Sequence, residues 1–249
     1  MNYIEINKIY NQNCTEFMKT LPDNSIDLII ADPPYGIAKN KPLKGKSHGN
    51  IKTLDIKWDI FKSKEEYLNF SKEWINKCNK ILKDNGSIFV YGTRQSIFDM
   101  KNILDEVGLY YIDMITWIKR DAPPNVTCRM YAHSTEFILW YCKSNKGWIF
   151  NHDIIKKYNN GKQMRNYWDI QRTMKKDEKT NHPTQKKIEL SNIIVEGHSN
   201  ENDLVYIPFA GSGSEIISCI NNKRNYIATE TNKQYIDDII LPRIKNIKI

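Results

Sequence analysis

The chain has 249 residues, 40% of them apolar and 27% charged, with a net charge of +8. This is the composition of a soluble globular protein. It excludes disorder as the main state, and the length supports a core that needs no disulfide or metal staple. The sequence has no run of 18 apolar residues and no apolar stretch near Met1. We therefore expect no membrane span and no signal peptide, and a cytoplasmic location.

Asp27-Leu28-Ile29-Ile30-Ala31 is a short apolar run that stops at Asp32-Pro33-Pro34, where prolines end any ladder, and it predicts a buried strand. Residues 63–82 carry Tyr67, Phe70, Trp74, Ile75, Cys78, Ile81 and Leu82 at helical steps. They predict an amphipathic helix starting near Ser63, with Glu66 placed for a capping box. Asn85-Gly86 ends that helix, and strands follow at 87–91, 111–118 and 135–142, with a helix near 95–106 between the first two. A helix near 185–196 precedes strand 204–207, and the Gly-rich turn 208–214 opens a helix to about 222. Strand 225–229 and a last helix from about 233 complete the pattern. Strands alternating with helices predict an α/β sheet.

Two segments lack periodicity. Residues 36–57 hold six lysines, including Lys39, Lys41, Lys44 and Lys46, against the single acid Asp55. Residues 151–187 hold ten basic side chains against four acids, among them Lys156, Lys157, Arg165, Arg172, Lys175 and Lys176. Clustering of positive charge in two irregular stretches favours a nucleic-acid partner. Two solvated loops in an AT-rich coding sequence are the competing reading. Five cysteines at 14, 78, 128, 142 and 219, with no CxxC, predict free thiols. Five scattered histidines at 48, 133, 152, 182 and 198 give no ligand spacing, so no metal site is expected.

Three short motifs carry chemistry. In Pro208-Phe209-Ala210-Gly211-Ser212-Gly213-Ser214, glycines let backbone N–H groups approach a ligand at the start of a helix. Glu230 lies 19 residues after Gly211, the spacing of a ribose-hydroxyl acceptor in nucleoside-binding βαβ units. The third glycine of a dinucleotide fingerprint is absent, so adenosine without a pyrophosphate fits better; an ordinary tight turn is the alternative. Asp32-Pro33-Pro34-Tyr35 suits a reaction at the exocyclic amine of a nucleobase. The amine lone pair is delocalised into the ring, and two acceptors aimed at its N–H groups would localise it. The Asp32 carboxylate and the Pro33 carbonyl supply two acceptors, and Tyr35 a face on which an extruded base can stack. A rigid turn with a core tyrosine is the bland alternative.

Together these residues resemble the S-adenosylmethionine-dependent DNA amino-methyltransferases, and most closely their β class, in which DPPY precedes the Gly-rich motif. The resemblance runs over nearly the whole chain: Asn13-Cys14, then 21–29, then Asp32–Tyr35, then His182-Pro183-Thr184-Gln185-Lys186, then Pro208–Ser214. It implies a Rossmann-like, seven-stranded α/β fold with circularly permuted motifs, spanning 1–249, with a small target-recognition insertion at 151–181. It assigns catalysis to Asp32, Pro33, Pro34 and Tyr35. Cofactor binding falls to Asn13, Cys14, Asp32, Thr184, Lys186, Phe209, Ala210, Gly211, Ser212, Gly213 and Glu230, with Thr184 and Lys186 against the methionine end of S-adenosylmethionine. Four positions depart from the family pattern: Asn13 and Ile207 replace Asp, Glu215 replaces Thr, and Lys187 replaces Pro. Asn13 can still accept a weaker bond through its amide oxygen.

The implied activity is methyl transfer to adenine N6 in double-stranded DNA, because the Asp form of the motif goes mostly with adenine. Cytosine N4 methylation, or a non-catalytic subunit of a restriction-modification complex, are the alternatives. A homodimer would enlarge the footprint of so short a recognition region, and a cognate restriction endonuclease is a further expected partner.

Overall fold

The computed structural model describes residues 4–36, 59–125, 127–172, 174–176 and 178–247. Lys39, Lys41, Lys44 and Lys46, with the rest of the basic segment after Gly36, lie outside the described residues.

Eight strands form one sheet: β1 (Lys8–Tyr10), β2 (Ile26–Ala31), β3 (Leu82–Gly92), β4 (Tyr110–Ile118), β5 (Thr135–Cys142), β6 (Tyr167–Asp169), β7 (Leu204–Ile207) and β8 (Asn225–Thr229). Their order across the sheet is β1-β8-β7-β2-β3-β5-β4-β6. The half from β1 to β3 is parallel, β5 runs antiparallel to β3 and β4, and β6 pairs with β4 in parallel. The resemblance implies seven strands. The two that the sequence pattern does not reveal are the three-residue strands β1 and β6 at the sheet edges, too short to show an alternation.

Helices α1 (Cys14–Phe17), α2 (Lys64–Ile81) and α3 (Ile97–Glu106) contribute to one core. Helices α4 (Ile188–His198) and α5 (Ser214–Asn221) contribute to a second, as does the C-terminal helical stretch 233–245. Strand β2 shows why: Ile26, Ile29 and Ala31 join the first core, while Leu28 and Ile30 join the second. A strand covered on both faces reads as a continuous apolar run. Each of its isoleucines, fully buried, contributes about 1.5–3 kcal/mol.

Helix α2 starts after Ser63, whose Oγ accepts from Glu66 N at 3.1 Å. The expected capping box is only half formed, because Glu66 Oε2 accepts from Lys62 N instead of Ser63 N. Asn85-Gly86 does not end the helix. It lies within β3 as an irregularity, since the pairing of β2 with β3 jumps from Ile26↔Leu82 to Leu28↔Ser87.

The connection from β2 leads to β3 on one side, and that from β7 leads to β8 on the other. The carboxyl ends of β2 and β7 therefore sit side by side at the point where the strand order reverses, the usual ligand crevice of an open α/β sheet. No helix among the described residues is long and apolar enough to cross a membrane.

Candidate active site

Four neighbouring parallel strands deliver four loops to one edge. β1 leads to Asn13-Cys14, β8 to Glu230, β7 to the glycine turn, and β2 to Asp32–Tyr35. These loops line a cleft of about 340 Å³, joined by Phe61 and Phe70 near and on α2 and by His182, Thr184 and Lys186. Of the sequence-assigned catalytic and cofactor residues, only Gly213 is not among its walls.

Gly213 instead permits the turn. It has φ +76°, and an added Cβ would lie 2.8 Å from Ile240 Cγ2 of the C-terminal helix. Gly211 has φ +49°, and an added Cβ would lie 3.2 Å from His182 Nε2. Both glycines answer to a conformation that side chains disfavour and to a neighbour that fills the space. The Glu230 carboxylate accepts from Gly211 N at 2.8 Å and from Asn232 N at 2.8 Å, which ties the acid to the turn. Burial raises its affinity for a proton.

Asn13 does not offer its amide oxygen to a ligand. That oxygen caps α1, accepting from Thr15 N at 2.8 Å and Thr15 Oγ1 at 2.9 Å. Its amide N–H₂ is the end left for a ligand, so the expected weak acceptor becomes a donor. Ile207 is fully buried in the second core. Glu215, at the start of α5, is 5% exposed and accepts from Ser191 Oγ at 3.2 Å. Burial and the charge of Asp32 shift it toward the neutral acid.

Asp32 follows β2 directly and has dense polar contacts. Lys186 Nζ lies 3.0 Å from Oδ1 and 2.8 Å from Oδ2, and Tyr35 Oη donates to Oδ1 at 2.5 Å. Lys186 Nζ is also 3.0 Å from Tyr35 Oη. Burial and the adjacent Asp32 charge hold the Tyr35 phenol well above its usual range, so it stays protonated. Burial opposes charge on Lys186, but the carboxylates of Asp32 and Glu136 outweigh it and raise its pKa. The sequence resemblance put Lys186 against the cofactor; the structure places it in the cleft wall and also on the Asp32 carboxylate.

Several partners were not visible in the sequence. Asp59 Oδ1 accepts from Tyr35 N at 2.5 Å and Gly36 N at 2.8 Å, pinning the end of the motif. Glu136 on β5 accepts from Lys119 Nζ at 2.6 Å and stands 3.7 Å from Lys186 Nζ. Burial favours its neutral form, but Lys186 and Lys119 outweigh that and lower its pKa. None of these residues sits in a contiguous motif, so only topology reveals them.

Beyond the wall formed by Tyr35 and Lys186 lies a second cavity of about 390 Å³. It is lined by Trp117, Lys119, Glu136, Arg172, Met174 and the 179–185 segment. The two cavities share Tyr35, His182, Thr184 and Lys186.

The candidate nucleic-acid residues divide. Arg172 lines the second cavity, with its backbone N–H donating to Asp121 Oδ1 at 2.9 Å. Lys175 and Lys176 are exposed. Lys156 pairs with Asp153 at 2.6 Å, and Lys157 with Glu196 at 2.6 Å. Neither lines the cleft or the second cavity, and Arg165 lies with Asn159, Met164 and Tyr167 around separate depressions. Among the described residues, no group of three or more His, Cys, Asp or Glu is arranged to hold a metal.

A reversal-point cleft built from a glycine turn, a ribose-spaced acid and an Asp-Pro-Pro-Tyr loop defines a nucleoside-cofactor group-transfer enzyme of the α/β class. The family model for DNA methylases, N6_N4_Mtase, matches residues 26–241. The chain belongs to this family of DNA amino-methyltransferases. It is 36% identical over 238 residues to the Type II methyltransferase M2.MboI of Moraxella bovis, covering 92% of this chain and 84% of that protein. It is 33% identical over 251 residues to the Type II methyltransferase M.HinfI of Haemophilus influenzae, covering 98% of this chain and 69% of that protein. The crystal structure of an M1.HpyAVI–SAM complex superposes with a TM-score of 0.71 at 28% identity, covering 96% of this chain and 99% of that one. S-adenosylmethionine is the cofactor, and the cleft fits it: the side-chain-free Gly211 and the half-buried Glu230 carboxylate suit a nucleoside.

Proposed function

We propose that the protein methylates adenine N6 of a base extruded from double-stranded DNA. The observation that carries this reading is the position of Asp32, in the first cavity and bonded to Tyr35 and Lys186, which line both cavities. The cleft on the glycine-turn side takes the cofactor, which supplies a methyl group on a sulfonium. The cavity on the Trp117 side takes the base, an aromatic ring of a size suited to it. Asp32 accepts one N–H of the amine and the Pro33 carbonyl the other, so nitrogen lone-pair density is turned toward the methyl. The proton lost from nitrogen leaves through the carboxylate. Tyr35 offers its ring face to the base, and Trp117 lines the same cavity. The Asp form of the motif supports adenine over cytosine.

Mass spectrometry of nucleosides from DNA treated with the protein and S-adenosylmethionine tests this reading. N6-methyladenine is the expected product. N4-methylcytosine without N6-methyladenine overturns the choice of base, and no methylated nucleoside overturns catalysis.

A further inference from the structure

The Asp32 carboxylate is engaged in a way that does not suit catalysis. A group that must accept an amine N–H and stabilise developing positive charge has an ammonium on both of its oxygens and a phenol on one. An adjacent cation withdraws the negative potential that the reaction needs. The same lysine stands 5.4 Å from the centre of the Tyr35 ring and 5.3 Å from that of Tyr91. Lys186 therefore occupies both the acceptor and one stacking face on which the target base depends.

An alternative position for this ammonium is already built. Glu136 Oε2 is buried and has no hydrogen-bond partner, although a buried carboxylate oxygen without one is costly. It stands 3.7 Å from Lys186 Nζ, so a move of about 1 Å completes a charge-assisted bond. Glu136 Oε1 is held by Lys119 at 2.6 Å, which fixes the carboxylate and leaves Oε2 as its open end. Tyr91 Oη, also buried and without a partner, belongs to the same neighbourhood, its proton affinity raised by burial and by the charges of Glu215, Asp32 and Glu136.

We propose that Lys186 is a two-position latch, resting on Asp32 in the empty enzyme and moving to Glu136 when a positive charge enters the cofactor cleft. In-line transfer requires the sulfonium to lie one methyl group from the amine that Asp32 holds. A cation there repels the Lys186 ammonium away from the cleft, toward the Glu136 side. The movement uncovers the carboxylate and the Tyr35 ring together, so the base site becomes competent only after charged cofactor has bound. The product, neutral at sulfur, lets the lysine return. Glu136 is thus a positioning residue that acts through Lys186.

This inference rests on the methyl-transfer reading, and crystal structures with two cofactor analogues separate the two. Sinefungin carries an ammonium where the sulfonium methyl stands; S-adenosylhomocysteine is uncharged at sulfur. With sinefungin, Lys186 Nζ is expected within about 3.2 Å of Glu136 Oε2 and clear of Asp32. With S-adenosylhomocysteine it should remain on Asp32. Lys186 resting on Asp32 in both complexes overturns the latch and leaves the methyl-transfer reading standing; failure of both analogues to bind overturns the two together. A second measurement uses Glu136→Gln, whose neutral amide keeps one acceptor oxygen and has no charge to draw the Lys186 ammonium away from Asp32. It should lower kcat about tenfold while the Kd for S-adenosylmethionine and the KM for DNA stay within about twofold. A change in Kd with kcat intact overturns the assigned role.

Discussion

The two halves of the sheet build their sides of the active site by different means. In the parallel half, β1, β8, β7 and β2 each end in a loop that contributes directly to the cofactor cleft. In the other half, the residues of the second cavity come from strand ends: Trp117 late in β4, Lys119 just past it, and Glu136 second in β5. Cross-strand pairing of Trp117 with Glu136 brings these two together. The parallel half concentrates its chemistry in contiguous motifs; the antiparallel half disperses it and relies on register.

The largest expected effect breaks the division outright. Asp32→Ala should lower methyl transfer by about 10³-fold, the scale of losing a preorganised charge-stabilising group. Calorimetric affinity for S-adenosylmethionine should change by no more than about threefold, because the glycine turn and Glu230 are untouched. Retained transfer would show that the carboxyl end of β2 is not the reacting centre.

A smaller effect separates conformational strain from packing in the parallel half. Gly213→Ala meets both a left-handed backbone and Ile240 at 2.8 Å, whereas Gly108→Ala meets φ +86° with nothing within 4 Å. Gly213→Ala should destabilise by about 1–3 kcal/mol and Gly108→Ala by about 1 kcal/mol. Urea denaturation measures both. Equal losses would mean that the helix behind the turn can yield.

Each side also carries one histidine whose proton affinity is depressed, half-buried His182 and buried His198. His182 packs over Gly211 and is pushed down to about 4 by burial, Lys186 and Arg243. His198 is ringed by Phe89, Trp140 and Phe150 and is pushed down to about 3 by burial. Both are neutral in the fold at pH 7 and charge more readily when unfolded. Their contribution to stability is whole above pH 6.5 and declines as pH falls through that value toward each folded pKa. The slope reaches at most about 1.4 kcal/mol per pH unit for each histidine. His198→Phe should flatten the fall between pH 6.5 and 4.5 by about half if the two histidines dominate it. An unchanged slope would assign acid sensitivity to other groups.

These contrasts explain what the sequence made legible. The six longer strands and the helices they alternate with were readable, because each buries a face with its own period. The strands β1 and β6 were not, because three residues carry no period. The cleft residues were readable where chemistry demands neighbours in sequence: glycines before a helix, an acid after the next strand, prolines after a buried one. Asp59, Lys119 and Glu136 were invisible because nothing local distinguishes a charged side chain that faces the site from one that faces solvent. Lys186 was found as a cleft residue, but its contact with Asp32 was not: a motif supplies identity, and only the fold supplies Asp32 across 154 positions.

The same lesson divides the basic stretch 151–181. As a sequence, 151–181 is a uniform basic stretch; in the fold its first part is absorbed into the scaffold. Asn151 Nδ2 donates to the Glu196 and Ser199 carbonyls, Ile155 is buried, and Lys157 and Tyr158 both engage Glu196. Lys156 and Lys157 spend their charge on acids of this chain, whereas Lys175 and Lys176 are exposed beyond Arg172 at the second cavity. A phosphate contact releases counterions, and each one adds about 0.9 to the dependence of log affinity on log salt. Lys175→Gln with Lys176→Gln should therefore reduce that slope by up to about 2, measured by fluorescence anisotropy across a salt series. Lys156→Gln with Lys157→Gln should leave it nearly unchanged. Equal reductions from the two pairs would place phosphates along the whole segment and erase the boundary that the ion pairs draw within it.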